Sequence, residues 1–73
     1  MATKFGQALR TLRHHNGDTQ VQLAKRLSLS VAAILMHEIG SRLPAYETLE
    51  SIADYFDVDM DYLFGRGIYT PRK

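Results

Sequence analysis

Seventy-three residues make one domain at most and leave room for only a thin core. Apolar content of 45% and charged content of 23% suit a soluble globular domain, and the lack of cysteine excludes a disulfide framework or a Cys-based zinc site. Formal net charge is only +1 but unevenly divided: Lys4, Arg10, Arg13, Lys25, Arg26 and Arg42 stand against Asp18 and Glu38, whereas Glu47, Glu50, Asp54, Asp57, Asp59 and Asp61 outnumber Arg66, Arg72 and Lys73 from residue 43 onward. A basic first part fits a phosphate-facing surface, and equally an ordinary solvated one. No apolar run approaches the roughly 18 residues of a membrane span. Met1-Ala2-Thr3-Lys4-Phe5 lacks the build of a signal peptide, so a cytoplasmic protein with no membrane partner is expected.

Phe5, Ala8, Leu9 and Leu12 recur at helical spacing and predict a first helix over about 4–15, with Thr3 as N-cap and Asn16-Gly17 as its stop. Thr19 caps a second helix that turns Leu23, Ala24 and Leu27 inward. Ser28-Leu29-Ser30 is a short turn, and Ser30 caps a third helix over about 31–39 that Gly40 ends. Pro44 breaks the chain before a fourth helix, about 45–56, carrying Leu49, Ile52, Ala53 and Phe56. Asp59 opens a short fifth helix, about 60–64, with Leu63 and Phe64 inward and Gly65 after it. No strand pattern or repeat is present. The expected architecture is a compact all-α, five-helix domain over residues 1–66, with a loosely ordered tail over 67–73.

Two short helices joined by a tight turn, about residues 19–39, form a helix-turn-helix. Ala24 falls where the two helices cross, and Leu23 and Ile34 fill the space beneath, so the third helix projects from the body. The chain from about Phe5 to Gly65 resembles the Cro/repressor-type (Xre, lambda-repressor-like) family. The matching residues are Leu9-Arg10 to Arg13, Thr19-Gln20 with Leu23-Ala24, Leu29-Ser30, Ile34, Glu38 with Gly40, Arg42, Pro44, Glu47-Thr48-Leu49 with Ile52-Ala53, and Asp61-Tyr62-Leu63. That resemblance implies a small phage or bacterial transcriptional regulator. It also implies a salt bridge between Arg13 and Glu38, and contacts to DNA phosphate from Gln20, Ser30 and Arg42, any of which has an ordinary solvated role as its alternative.

The third helix departs from the pattern. Members of that family usually carry polar side chains on its outward positions, where they hydrogen-bond to base edges. Here the outward or sideways residues are Val31, Ala32, Ala33, Leu35, Met36 and Ile39, none of which forms such a bond. Val31, Ala32, Leu35, Met36 and Ile39 are therefore expected to bind a protein, with another helix-turn-helix repressor as the candidate partner and an antirepressor or modulator of repression as the role. Three alternatives remain open: a conventional operator-binding repressor or activator with weak readout from the third helix, self-association of two copies through that helix, and a helix phase displaced by one residue. A homodimer through Met60, Phe64, Ile68 and Tyr69 is a further alternative to their being core. Ser28 stands where the family usually has glycine, and His37 is read as a half-buried packing residue.

No enzyme constellation, phosphate loop or cofactor motif is present. His14-His15 are adjacent and cannot both reach one metal from a helix, and the acidic residues near position 57 lack the glycine and terminal glutamate of a calcium loop.

Overall fold

Local capping chemistry sets the helix boundaries. In the computed structural model, which describes residues 3–65, the helices are α1 (Lys4–His15), α2 (Gln20–Leu27), α3 (Val31–Ile39), α4 (Tyr46–Phe56) and α5 (Met60–Leu63). The Thr3 hydroxyl accepts from the Gly6 N–H at 3.0 Å, and the Ser30 hydroxyl accepts from the Ala33 N–H at 3.0 Å. Thr19 and Gln22 form a reciprocal capping box: Thr19 Oγ1 accepts from the Gln22 N–H at 3.1 Å, and Gln22 Oε1 accepts from the Thr19 N–H at 2.9 Å. The later helices are capped less fully. Ala45 precedes α4 and Asp59 precedes α5, and neither side chain makes a capping bond. The expected Asp59 cap is thus one of position only. Pro44 is buried just ahead of α4.

Alternate turns of each helix feed one core of Phe5, Leu9, Leu12, Leu23, Ala24, Ile34, Leu49, Ile52, Ala53, Val58 and Leu63. Ala24 is 2% exposed at the α2–α3 crossing, and Leu23 and Ile34 are wholly buried beneath it. Met60 and Phe64 lie half-buried against this core, while Ile68, Tyr69 and the expected tail over 67–73 lie outside the described residues. α1 packs chiefly on α3. Gly6 makes their approach close, since a Cβ there would stand 2.4 Å from the Glu38 carbonyl oxygen.

The turn between α2 and α3 is closed by Ser28, whose φ of 57° is left-handed, and by a Leu29 N–H bond to the Ala24 carbonyl at 2.8 Å. A serine rather than glycine in that conformation costs about 1 kcal/mol. Among the described residues, no helix is long and apolar enough to cross a membrane.

Candidate partner-binding helix and nucleic-acid interface

Polar groups hold the inward side of α3. Arg13, from α1, sends Nε to Glu38 Oε2 at 2.6 Å and Nη2 to Oε1 at 3.1 Å, a two-point ion pair with 11% and 4% of the two side chains exposed. A third donor, Nη1, reaches the Asp18 carbonyl at 3.1 Å. The same carboxylate accepts from the Gln20 side-chain amide at 3.2 Å. Next to it in sequence, His37 is buried rather than half-buried. Its Nδ1 lies 3.0 Å from the Arg42 carbonyl oxygen, which makes it the donor there, and its ring meets Phe5 edge-on at 6.4 Å between centroids. That bond fixes the backbone leaving α3, and Gly40 supplies the left-handed turn with φ 84°.

The outward side is apolar. Val31, Leu35 and Ile39 lie on one stripe at four-residue spacing and are 41%, 47% and 53% exposed, with Ala32 exposed beside them. Met36 and Ala33 face sideways and are half-buried, so Met36 belongs partly to the scaffold. Three residues outside the helix that no sequence pattern marks are also exposed and apolar: Val21, Leu43 and Tyr46, at 50%, 57% and 63% exposed. Val21 and Val31 line one open groove of about 600 Å³ together with Thr19 and Gln20. Leu43 and Tyr46 belong to no amphipathic period of α3, because they sit in the following loop and at the first position of α4.

The three phosphate candidates are placed differently. Arg42 is exposed just after α3. Ser30 is exposed, but its oxygen is used as the N-cap acceptor. Gln20 is half-buried, with its amide nitrogen turned to Glu38. Among the described residues, no group of three or more His, Cys, Asp or Glu side chains comes together as a metal site.

A second polar cluster ties the α1–α2 loop to α4. The Tyr55 hydroxyl donates to Asp18 Oδ2 at 2.6 Å, and Asn16 Nδ2 donates to the same oxygen at 2.8 Å and to the Tyr55 oxygen at 3.0 Å. The Tyr55 hydroxyl, then Asn16, hold the Asp18 carboxyl below its ordinary value of 3.8, and Asp18 in turn raises Tyr55 above 10.0. A depressed carboxyl pKa contributes stability that is complete above 3.8 and is lost as pH falls through the lower folded value. Tyr55→Phe is therefore expected to return Asp18 towards 3.8 in an NMR titration. It should also lower stability at pH 7 by about 0.5–1 kcal/mol, a partly exposed hydrogen bond's worth, and wild type and variant should converge in acid. Equal urea midpoints at pH 7 would show the cluster to be passive.

A short helix seated by its neighbour at Ala24, capped at both ends and projecting one face from a five-helix body, defines a helix-turn-helix domain. Residues 4–63 match a family model described as a helix-turn-helix domain, and the chain belongs to that family, within the Cro/repressor (Xre) type. It is 37% identical over 59 residues to the uncharacterized HTH-type transcriptional regulator YqaE of Bacillus subtilis, a match covering 81% of this chain and 51% of that protein. It is 33% identical over 63 residues to the cryptic phage CTXphi transcriptional repressor RstR of Vibrio cholerae, covering 86% and 56%. The chain thus spans about half the length of these curated relatives. Its fold matches the restriction-modification controller protein C.AhdI of Aeromonas hydrophila with a TM-score of 0.77 at 32% identity, over 85% of this chain and 94% of that one. Residues 4–63 of the chain are thus a helix-turn-helix domain.

Proposed function

We propose that this regulator acts through a protein partner bound by α3, and that the partner is another helix-turn-helix repressor, which it holds off its operator in the cytoplasm as an antirepressor or modulator of repression. The observation that carries this reading is the exposed stripe Val31, Leu35, Ile39 with Ala32, on the face from which a helix-turn-helix would read bases. Reading base edges requires donors and acceptors, and an aliphatic stripe has neither. Phosphate contacts alone give binding without sequence preference. Burial of the same stripe in a partner is favourable at about 25 cal/mol per Å² before association costs. Similarity to a phage repressor agrees with a place in a phage-type switch.

A conventional operator-binding role is the second reading. What favours it is that Ser30, just before α3, and Arg42, just after it, are both exposed.

The two readings separate in one experiment. Leu35 is 47% exposed, so Leu35→Lys is expected to keep wild-type thermal stability while abolishing capture of a repressor from the native host. Under the second reading, operator DNA binds in a gel shift, outcompetes random DNA and loses affinity steeply with salt. Retained repressor capture by Leu35→Lys sinks the first reading.

A further inference from the structure

Asn16, the one asparagine of the chain, ends α1 and is followed by Gly17. An asparagine carboxamide is open to attack by the backbone nitrogen of the next residue, and a glycine there leaves that nitrogen unshielded. Both residues are exposed, and no atom lies within 4 Å of where a Gly17 Cβ would stand. In the reaction the Gly17 nitrogen loses its proton and bonds to Asn16 Cγ. The Cγ–Nδ2 bond breaks, and ammonia leaves with a proton gained. Water then opens the five-membered imide at one carbonyl or the other, giving aspartate or its β-linked isomer.

The native domain holds each reacting group away from this course. The Asn16 ψ of −6° puts the Gly17 nitrogen beside the Asn16 backbone nitrogen, whereas ring closure needs it beside Cβ. The Gly17 N–H donates to the His14 carbonyl at 3.1 Å. Asn16 Nδ2 donates to Asp18 Oδ2 at 2.8 Å and to the Tyr55 oxygen at 3.0 Å, so the carboxamide turns only by breaking both bonds. We propose that Asn16 is a site of spontaneous deamidation, closed in the native domain by its bonds to Asp18 and Tyr55, and that its conversion irreversibly releases the α1–α2 loop from α4. After the step a carboxylate stands where Nδ2 donated. It faces the Asp18 carboxylate with no proton between them, and the two repel. The loosening reaches the seat of α3, because the Asp18 carbonyl accepts from Arg13 Nη1 at 3.1 Å and Arg13 holds Glu38. The step does not depend on what α3 binds.

Mass spectrometry of the whole chain, aged near neutral pH and then digested with trypsin, tests this. Conversion makes the fragment of residues 14–25 heavier by about 1 Da. It is expected to run at least about tenfold more slowly in the native chain than in the same chain unfolded in urea, since only local opening admits it. Tyr55→Phe removes one bond of the cluster and should speed conversion in the native chain roughly threefold. Ser30→Ala removes the cap of α3 at a similar cost in stability but lies outside the loop, so its rate should match wild type. Asn16→Asp reproduces the main product's charge and should lower the melting temperature by about 4–8 °C. Lack of conversion in urea, or equal native and unfolded rates, overturns the inference. So does Tyr55→Phe ageing no faster than wild type, or Ser30→Ala speeding conversion as much, because opening is then global. Asn16→Asp melting with wild type overturns the release of the loop.

Discussion

Arg13→Ala is expected to cost about 3–5 kcal/mol, measured by urea denaturation, and to leave much of the domain unfolded at 37 °C. A chain of this length has roughly 4–11 kcal/mol in total at about 0.05–0.15 kcal/mol per residue, so the loss is a large share of the margin and at the low end all of it. The size follows from what remains behind. Glu38 is 4% exposed at its side chain, and without Arg13 its carboxylate is left, among the described residues, with the neutral Gln20 amide at 3.2 Å. The Asp18 carbonyl loses its arginine donor as well. Removing both charges is a different case. Arg13→Met with Glu38→Leu leaves no stranded charge, and most of the stability should return. A loss under 1 kcal/mol for Arg13→Ala would place the pair among ordinary surface bridges and defeat this account.

The ion pair also bears on how α3 is oriented. Burial of apolar surface usually decides which face of a helix turns inward. In α3 the inward face holds Glu38 and His37 as well as Ile34, while Val31, Leu35 and Ile39 stay outside. Hydrophobicity alone would not select this rotation. Arg13 selects it by giving Glu38 a two-point partner, and His37 adds a bond to the Arg42 carbonyl. The helix is thus held to the body partly by polar contacts, which leaves its aliphatic stripe available for another molecule.

How far sequence alone reached depends on the range of each interaction. Thr3, Thr19, Ser30 and Gly40 act on backbone groups within a few residues, so the predicted boundaries of α1 and α3 coincide with the observed ones. α4 begins one residue later than expected, at an end where no side chain caps it, and α5 ends one residue earlier, with Phe64 as its C-cap. Ser28 is likewise legible as a turn residue, and its φ is left-handed. Contacts between distant segments were less legible. The Asp18–Tyr55 bond joins residues 37 positions apart, and nothing in either one's neighbourhood announces it. Gln20 has the position of a phosphate contact, but the buried carboxylate of Glu38 draws its amide inward. Leu43 and Tyr46 are not legible in sequence, because helical periodicity does not register a loop residue or a first-turn residue facing away from the core. Gly6 reads in sequence as a poor helix former and nothing more.

Gly6→Ala is expected to destabilise the domain by about 2–3 kcal/mol, although alanine in place of glycine normally favours a helix by about 1 kcal/mol. The added methyl group would stand 2.4 Å from the Glu38 carbonyl oxygen and 2.8 Å from that of His37. Both are backbone atoms near the end of α3, and neither can swing aside as a flexible side chain would. Relief requires α1 and α3 to separate by about an ångström along the face where they pack, and well-packed cores resist that. The movement draws Phe5 away from His37 and loosens the seat of α3, so ordering of the exposed stripe should fall together with stability. Gly17→Ala provides the contrast. Gly17 has a positive φ of 74° but nothing within 4 Å of its would-be Cβ, so its cost is the backbone term alone, about 1 kcal/mol. Melting temperatures that rank Gly6→Ala well below Gly17→Ala assign the larger loss to the helix contact. The reverse order would mean that α1 and α3 yield to a methyl group more readily than a left-handed turn does.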